Sequence, residues 1–457
     1  MKFKSRNIEI YKKAVTIGLP VAFENMIYSL INFIDVFMVG KENVLLGLGS
    51  IAVAGTGFAN QIFAIFIVSL FGMNSGGGIF AAQYYGSRDF KNLKKCLGIT
   101  LAVGFIFSML FVMAGLLFPQ QIIGIFTKDK QVLDIGVKYF KIIIWTYPLS
   151  GIGFAFNMQL RAIGRTKYSL YSSIMSLIIN ASFNYILIYG KFGFPAMGVE
   201  GAAIATVIAR ALGTGYIVFI IYKLKLPVAG TFSELFSISW DFATKILKVS
   251  LPVFGHEIMW VTGVSIYVVI VGRMGTEYAA AVQIVKSISN LIFVLLFGLA
   301  SATSTIIGNE IGAGNEEEAY STAVALLKAG ITLGVIVAIT SYAISPLMLK
   351  IMGVEKNLYP LTRQIFFSEM ILIIAKSAGT QLIVGILRAG GDTLWTMFMD
   401  LIPLWFVAIP LTYIGGIKLG LPISIVYFFT GTDELIKIIP CIKRLKSRKW
   451  INNLVKL

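Results

Sequence analysis

The chain has 457 residues, of which 57% are hydrophobic and only 13% carry a charge. Soluble domains have about 25% charged residues, and a water-soluble fold cannot hide so much apolar surface, so the composition excludes a soluble globular protein. The net charge of +17 is typical of basic loops on one side of a membrane, and we expect no nucleic-acid partner.

Apolar stretches long enough to cross a bilayer, about 20 residues each, recur from one end of the chain to the other. The first follows a basic start and is too long for a signal-peptide core, so we expect a retained span rather than a cleaved signal. The twelve predicted spans are 14–39, 47–80, 96–118, 137–160, 168–189, 199–222, 247–271, 277–307, 320–349, 362–387, 393–415 and 421–441. The sequence therefore predicts an all-α integral membrane fold with twelve transmembrane helices.

Lysine and arginine concentrate before the first span, after spans two, four and six, and after the last span. These basic residues include Lys2, Lys4, Arg6, Arg88, Lys91, Lys94, Arg161, Arg165, Lys223, Lys225, Lys443 and Arg444. Basic loops mark the cytoplasmic side, whereas the acidic run Glu316–Glu318 after span eight contributes little to orientation. We therefore predict a multi-pass protein of the plasma (inner) membrane with both termini cytoplasmic.

The two halves of the chain repeat each other. Gly18-Leu19-Pro20 matches Ser250-Leu251-Pro252, 232 residues later, and Leu160–Thr166 matches Leu387–Thr393, 227 residues later. Each half contains six predicted spans, so the halves share one orientation across the membrane. This predicts two pseudo-symmetric six-helix lobes around a central cavity, with alternating access by rocking of the lobes.

The longest polar break in the chain separates the two halves. It predicts an N-terminal lobe at 1–225, a cytoplasmic linker at 226–246 and a C-terminal lobe at 247–457. Within this break, the stretch from Phe232 to Lys248 is amphipathic, which predicts a helix lying on the membrane surface.

Several motifs in a fixed order resemble those of the multidrug and toxic compound extrusion (MATE) family, over essentially the whole chain. They are Pro20 followed by Asp35, Ala82–Gly86, the repeated Leu-Arg-Ala-x-Gly-x-Thr, and Pro195–Thr206. The resemblance implies secondary active multidrug efflux, by antiport of organic, mostly cationic compounds against H⁺ or Na⁺. It also implies that no other cofactor is needed, and we expect a monomer in the lipid bilayer.

Glu257 is the main candidate for cation or proton coupling in the second half. It is central in span seven, five residues after Pro252. A charged side chain at the bilayer centre costs about 2.5–3.5 kcal/mol, so such residues are functional candidates by default. The resemblance implies an acid at this place, and a hydrogen-bonded structural glutamate is the alternative.

The first half has its own candidate coupling site. The resemblance implies that Asp35, Asn180, Asn184 and Thr206 form it, as a proton site or as a Na⁺ site of oxygen ligands. One branch of the family has an aspartate at the position that Asn184 occupies here. The loss of that negative charge weakens the case for tight sodium binding. Packing through interhelical hydrogen bonds is the alternative role of Asn180 and Asn184.

Three further polar residues are candidates for the substrate cavity or for coupling. Glu24 lies eleven residues before Asp35, about 16 Å along one helix face, and a structural acid is its alternative role. His256 titrates near neutral pH and adjoins Glu257, although adjacent helical residues do not face each other. The resemblance implies an acid near Lys376, so we hypothesise that Lys376 pairs with Glu257 in one state, in place of a bound cation.

Aromatic and remaining charged residues inside the spans are weaker candidates. Phe33, Tyr267 and Phe293 are candidate cavity residues through cation–π contacts, with packing or lipid contact as the alternative. Arg210, Lys286 and Asp400 are expected to be structural partners.

Three other functions remain to be weighed. A lipid-linked sugar or polysaccharide flippase of the same superfamily needs a more basic cavity, which Glu24, Asp35 and Glu257 disfavour. An enzyme is not expected, because one histidine with Cys96 and Cys441 gives no usual zinc site and no phosphate-binding glycine loop is present. A channel is the last option, and substrate-coupled proton flux would count against it.

Overall fold

The structure, a computed structural model, describes residues 2–44, 49–352 and 354–456. Those residues are almost entirely helical and contain no strand. The helices are α1 Lys2–Val44, α2 Gly49–Gly86, α3 Phe90–Leu117, α4 Pro119–Gly124, α5 Lys130–Ile143, α6 Thr146–Ala162, α7 Lys167–Tyr189, α8 Gly198–Lys223, α9 Phe232–Phe236, α10 Trp240–Met274, α11 Thr276–Gly312, α12 Glu316–Ile351, α13 Tyr359–Thr380, α14 Thr393–Pro403, α15 Ile409–Tyr413, α16 Ile423–Phe429 and α17 Thr432–Ser447. Short π-helical turns at Gln381–Leu387, Leu404–Ala408 and Ile414–Lys418 follow α13, α14 and α15.

Ten helical stretches within the described residues are long and apolar enough to cross a membrane. The other two predicted spans, four and twelve, are each divided into two helices: α5 with α6, and α16 with α17. Near the first division Pro148 lacks the N–H that would bond to the Ile144 carbonyl. At the second, the Thr430 and Thr432 hydroxyls donate to carbonyls of the preceding turn. The prediction of twelve spans in an all-α membrane fold is confirmed.

Contacts divide the chain into two compact units. One comprises Met1–Ala22, Ala82–Arg88 and Lys248–Leu457, and the other comprises Phe23–Ala81 and Asp89–Leu247. The predicted lobes, 1–225 and 247–457, were defined by the sequence repeat. These units are defined by which residues contact one another, and their bounds differ from those of the lobes. The first turns of α1 and the end of α2 therefore pack with helices of the second half.

Glycines let these helices approach closely at two places. A side chain on Gly18 would lie 2.8 Å from the Gly298 carbonyl oxygen, and one on Gly298 would lie 2.6 Å from that of Gly18. Gly86 and Gly312 occupy the second crossing, where each would collide with the backbone of the opposite helix. Gly86 and Gly312 thus allow the backbones of α2 and α11 to approach closely at this crossing.

We expect Gly298→Ala to lower the thermal stability of the purified protein, because the new methyl group must push α1 and α11 apart. Overpacking of this kind costs about 1–3 kcal/mol. Gly215→Ala is the matched control, since its added methyl group would contact nothing within 4 Å. Unfolding midpoints in detergent measure the effect, and equal midpoints for the two variants would contradict the close crossing.

The predicted surface helix from Phe232 to Lys248 is wrong in its continuity. Residues 237–239 are not helical, because Ser239 caps the next helix by accepting the Phe242 N–H at 3.2 Å. Glu234 closes a capping box with Thr231 and accepts from Lys94 at 2.8 Å. That lysine, followed by the Thr231 backbone N–H, holds the pKa of Glu234 below its usual value.

Candidate functional site

The four residues predicted for the first half, Asp35, Asn180, Asn184 and Thr206, meet in one buried cluster. Asn184 Nδ2 donates to Asp35 Oδ1 at 2.6 Å, and Thr206 Oγ1 lies 2.9 Å from Asp35 Oδ2. Asn180 links the other two, accepting from Asn184 at 3.1 Å and donating to Thr206 at 3.0 Å. The Asp35 side chain is only 2% exposed. Helices α1, α7 and α8 therefore share one polar site built around a carboxylate.

The fixed positive charge near this carboxylate belongs to Arg210, four residues after Thr206 on α8. Its guanidinium lies over the Tyr28 ring at 4.5 Å and faces the Phe63 ring at 5.5 Å. The charge of Arg210 also acts on Asp35. The prediction that Arg210 is a structural partner fits this position, beside the site and held by two aromatic rings.

The donor set around Asp35 does not fit a sodium ion in this arrangement. Sodium requires oxygen atoms aimed at the ion, whereas both Asp35 oxygens face an N–H or an O–H donor. The Asn184 carbonyl oxygen has no hydrogen-bond partner within the described part of the chain. Reversing the Asn184 amide would aim that oxygen at Asp35, and amide orientation is assigned from such networks.

Glu24 lies apart from the Asp35 cluster and forms an ion pair with Arg161. Glu24 Oε2 and Arg161 Nη2 are 3.0 Å apart, and both side chains are largely buried. Arg161 belongs to the Leu-Arg-Ala motif, whose role the sequence did not reveal. The buried ion pair explains why an arginine stands at this position of the motif. It also favours a structural role for Glu24.

We expect Arg161→Gln to reduce expression and lower the unfolding midpoint, because it leaves the Glu24 carboxylate buried without its partner. Removing one member of a buried pair costs about 3–5 kcal/mol. Arg165→Gln removes an exposed charge from the same loop and should be silent. Adding Glu24→Gln to Arg161→Gln should recover much of the lost stability, and failure to do so would contradict the pairing.

The second half repeats this ion pair with different residues. His256 and Arg388 stand at the repeat positions of Glu24 and Arg161, at the offsets of 232 and 227. Arg388 Nη1 donates to Glu257 Oε1 at 3.1 Å, and Arg388 Nη2 lies 2.8 Å from His256 Nδ1. His256 Nδ1 and Glu257 Oε1 are also within 3.1 Å. Sequence reasoning missed Arg388, although it stands in the same quoted motif.

From His256 the network continues across the second half. His256 Nε2 lies 2.6 Å from Asp400 Oδ2, and the other Asp400 oxygen accepts from Lys437. Lys437 Nζ also lies 2.8 Å from Glu434 Oε2. Glu257 is therefore one end of a continuous charged network that runs through α10, α14 and α17. Sequence reasoning predicted Asp400 as a structural partner but missed Lys437 and Glu434.

In this structure Lys376 pairs with Glu369 and not with Glu257. Lys376 Nζ donates to both oxygens of Glu369, at 2.8 and 2.9 Å. The two residues are seven apart, about two helical turns, and so share one face of α13. Tyr427 also donates to Glu369, at 3.2 Å, while Lys286 acts on this pair electrostatically.

The aromatic candidates occupy three unlike places. Tyr267 is buried, with 5% of its surface exposed, whereas Phe33 is 64% exposed. Phe33 stacks on Phe37 at 6.1 Å, and Phe293 lies 6.4 Å from Phe297. Phe33 belongs to one unit, and Tyr267 and Phe293 belong to the other.

Side chains typical of transition-metal sites are not clustered in the described residues. No group of three or more His, Cys, Asp or Glu side chains there is arranged to hold a metal ion. Cys96 and Cys441 are free and buried, in different units. Within each half, the buried acids instead pair mostly with basic side chains of the same half.

Comparisons with known proteins agree with this architecture. The family model MatE matches residues 20–186 and 252–414, which are the two halves of the repeat. An uncharacterized transporter of Bacillus subtilis, YisQ, is 24% identical over 94% of this chain and 93% of its own. The probable multidrug resistance protein NorM of Thermotoga maritima is 26% identical over 89% of this chain and 86% of its own.

A solved structure shares the fold at low sequence identity. The crystal structure of the D35N mutant of the Vibrio cholerae MATE transporter VcmN superposes with a TM-score of 0.88 at 15% identity. The match covers 99% of this chain and all of that one. With the family model matching both halves, the chain belongs to the multidrug and toxic compound extrusion (MATE) family of membrane transporters.

Proposed function

We propose that this protein expels organic, mostly cationic compounds by antiport against protons. The observation that carries the proposal is a carboxylate, Asp35, buried among spanning helices and held by three polar side chains. A buried carboxyl group that no lysine or arginine neutralises directly is suited to take up and release a proton.

The cargo class follows from related proteins and from charge. The NorM protein of Thermotoga maritima is named a probable multidrug resistance protein. Acidic side chains inside the spans, with Asp35 and Glu257 among them, attract cations rather than phosphates. This favours cationic drugs over the lipid-linked sugars of a flippase.

Coupling follows from what a proton does to the Asp35 site. The charged carboxylate accepts from Asn184 and Thr206. A protonated carboxyl group donates at one oxygen, so either the Asn184 bond is lost or the Thr206 bond reverses, with the Thr206 hydroxyl then donating to the Ala202 carbonyl oxygen at 3.0 Å. Protonation of Asp35 therefore changes the hydrogen bonds that join α1 to α7 and α8, which would link proton binding to helix movement.

Protons fit the site better than sodium. Asn184 and Thr206 present donors to the carboxylate, as a charged acid needs, and sodium would require the Asn184 amide to turn around. The Glu257 network is a second place for coupling, because its histidine and carboxylates are in hydrogen-bond range of each other.

We place the protein in the plasma membrane with both termini cytoplasmic, on the basis of its basic loops. The two repeat halves, 1–225 and 247–457, are the lobes that would rock for alternating access. A two-lobe transporter completes this cycle as a monomer.

Ethidium transport in proteoliposomes tests the function. An imposed proton gradient should drive ethidium against its own gradient, and a sodium gradient should not. Uptake driven by the sodium gradient alone would show that Na⁺ is the coupling ion. If ethidium moves under neither gradient, antiport of cationic drugs is rejected in favour of another cargo. Ethidium movement that requires no ion gradient and carries no proton flux would indicate a channel.

A further inference from the structure

The repeat places a second acidic position in the last span, which becomes evident when the Asp35 site is mapped onto the second half. At the offset of 232, Asp35 corresponds to Tyr267. The offset of 227 persists to the last span, because Gly193 and Pro195 match Gly420 and Pro422.

The same offset maps Thr206 onto Asp433 and Arg210 onto Lys437. The two halves have therefore exchanged residue types. In the first half the acid is on span one and the hydroxyl on span six, whereas in the second half the hydroxyl is on span seven and the acid on span twelve. The pattern of one acid, one hydroxyl and one nearby base is retained.

Asp433 and Tyr267 are both buried, at 4% and 5% exposure. Asp433 Oδ1 and the Tyr267 hydroxyl have no hydrogen-bond partner in the described ranges. The charges of Asp433 and Glu434 act on the Tyr267 hydroxyl, which places the three groups in one neighbourhood. Two orphaned polar groups of this kind, one acidic, leave unfilled coordination inside a membrane span.

No basic side chain among the described residues forms an ion pair with Asp433. The charge of Lys437 acts on Asp433, but its ammonium group pairs with Asp400 and Glu434. The charge of Lys376 also reaches Asp433, but its ammonium group donates to both oxygens of Glu369. Asp433 is thus a buried carboxylate with no ion-pair partner within the described residues. The neighbouring lysines are already paired with other carboxylates.

The last span is interrupted immediately before Asp433. Asp433 and Glu434 lie in the first turn of α17, immediately after the break between α16 and α17. A helix N-terminus favours the charged form of nearby carboxylates, and discontinuous spans are a common setting for ion sites in transporters.

We propose that Asp433, with the Tyr267 hydroxyl and Glu434, forms a second monovalent-cation site in this protein, which takes a proton or a sodium ion. The site is distinct from Asp35, and through Glu434 it adjoins the end of the network that lies farthest from Glu257. If the proposed antiport is correct, this site adds a second ion to each transport cycle.

Ion binding to the purified full-length protein, without any drug, tests the site. In the proton arm, infrared difference spectra between acidic and alkaline pH should contain a protonated-carboxyl band that Asp433→Asn removes. In the sodium arm, NaCl but not choline chloride should raise the unfolding midpoint of the wild type and leave Asp433→Asn unchanged. A response in either arm supports the site and names its ion.

Tyr267→Phe is the second variant, because it removes one oxygen and keeps the packing. It should weaken the same ion response severalfold, and it keeps the test decisive if Asp433→Asn fails to fold. Asp241→Asn, which changes an exposed carboxylate, should behave as wild type. Identical responses from wild type, Asp433→Asn and Tyr267→Phe would overturn the proposal. Since these measurements involve no transport, they stand or fall independently of the drug-efflux proposal.

Discussion

Asp35→Asn should abolish proton-driven drug efflux while leaving the protein folded. Asparagine has the shape of aspartate and still accepts from Thr206, but its amide takes up no proton. The new NH₂ group then faces the Asn184 Nδ2 donor, from which the carboxylate accepted. We expect ethidium transport to fall by at least about tenfold, the effect of ~1.4 kcal/mol on a rate.

Binding measurements separate loss of coupling from loss of cargo affinity. In the wild type, ethidium affinity should rise with pH, because protons compete with the cation for the charged carboxylate. In Asp35→Asn this pH dependence should be absent, or reduced to what Glu257 supplies. Glu200→Gln, which removes an exposed acid at the start of α8, should retain wild-type transport and pH dependence. Unchanged transport in Asp35→Asn would move the coupling site to the second half.

The twelve spans were predictable because hydrophobic length is a local property of the sequence. The Asp35 cluster was partly predictable, since Asn180 and Asn184 are four residues apart on one helix face and the resemblance supplied Thr206. The hydrogen bonds of Asn184 and Thr206 to Asp35 join residues 149 and 171 positions apart, which only the fold brings together.

The partners of the other buried charges were not predicted for the same reason. Arg161 and Arg388 stand in a repeated motif, yet nothing local in the motif indicates a buried acid on a distant helix. The pairing of Lys376 with Glu369 was predictable, because Glu369 lies two helical turns earlier on the same face. A local partner of this kind deserves priority over one on another helix.

Glu257 presents a harder case than Asp35, because it has a structural and a functional role to separate. Its carboxylate accepts from Arg388 and contacts His256. Glu257→Gln should therefore leave the Arg388 charge under-compensated and destabilise the protein by up to about 3–5 kcal/mol. Loss of transport in this single variant would not distinguish a coupling acid from a misfolded protein.

The double variant Glu257→Gln with Arg388→Gln resolves the two roles. Removing both charges together should recover most of the unfolding midpoint, since neither charge is then left unpaired. If Glu257 is a coupling acid, the double variant stays stable but transports ethidium at least about tenfold more slowly. If Glu257 serves only to neutralise Arg388, transport returns together with stability. Glu277→Gln, an exposed acid at the start of α11, sets the baseline for both measurements.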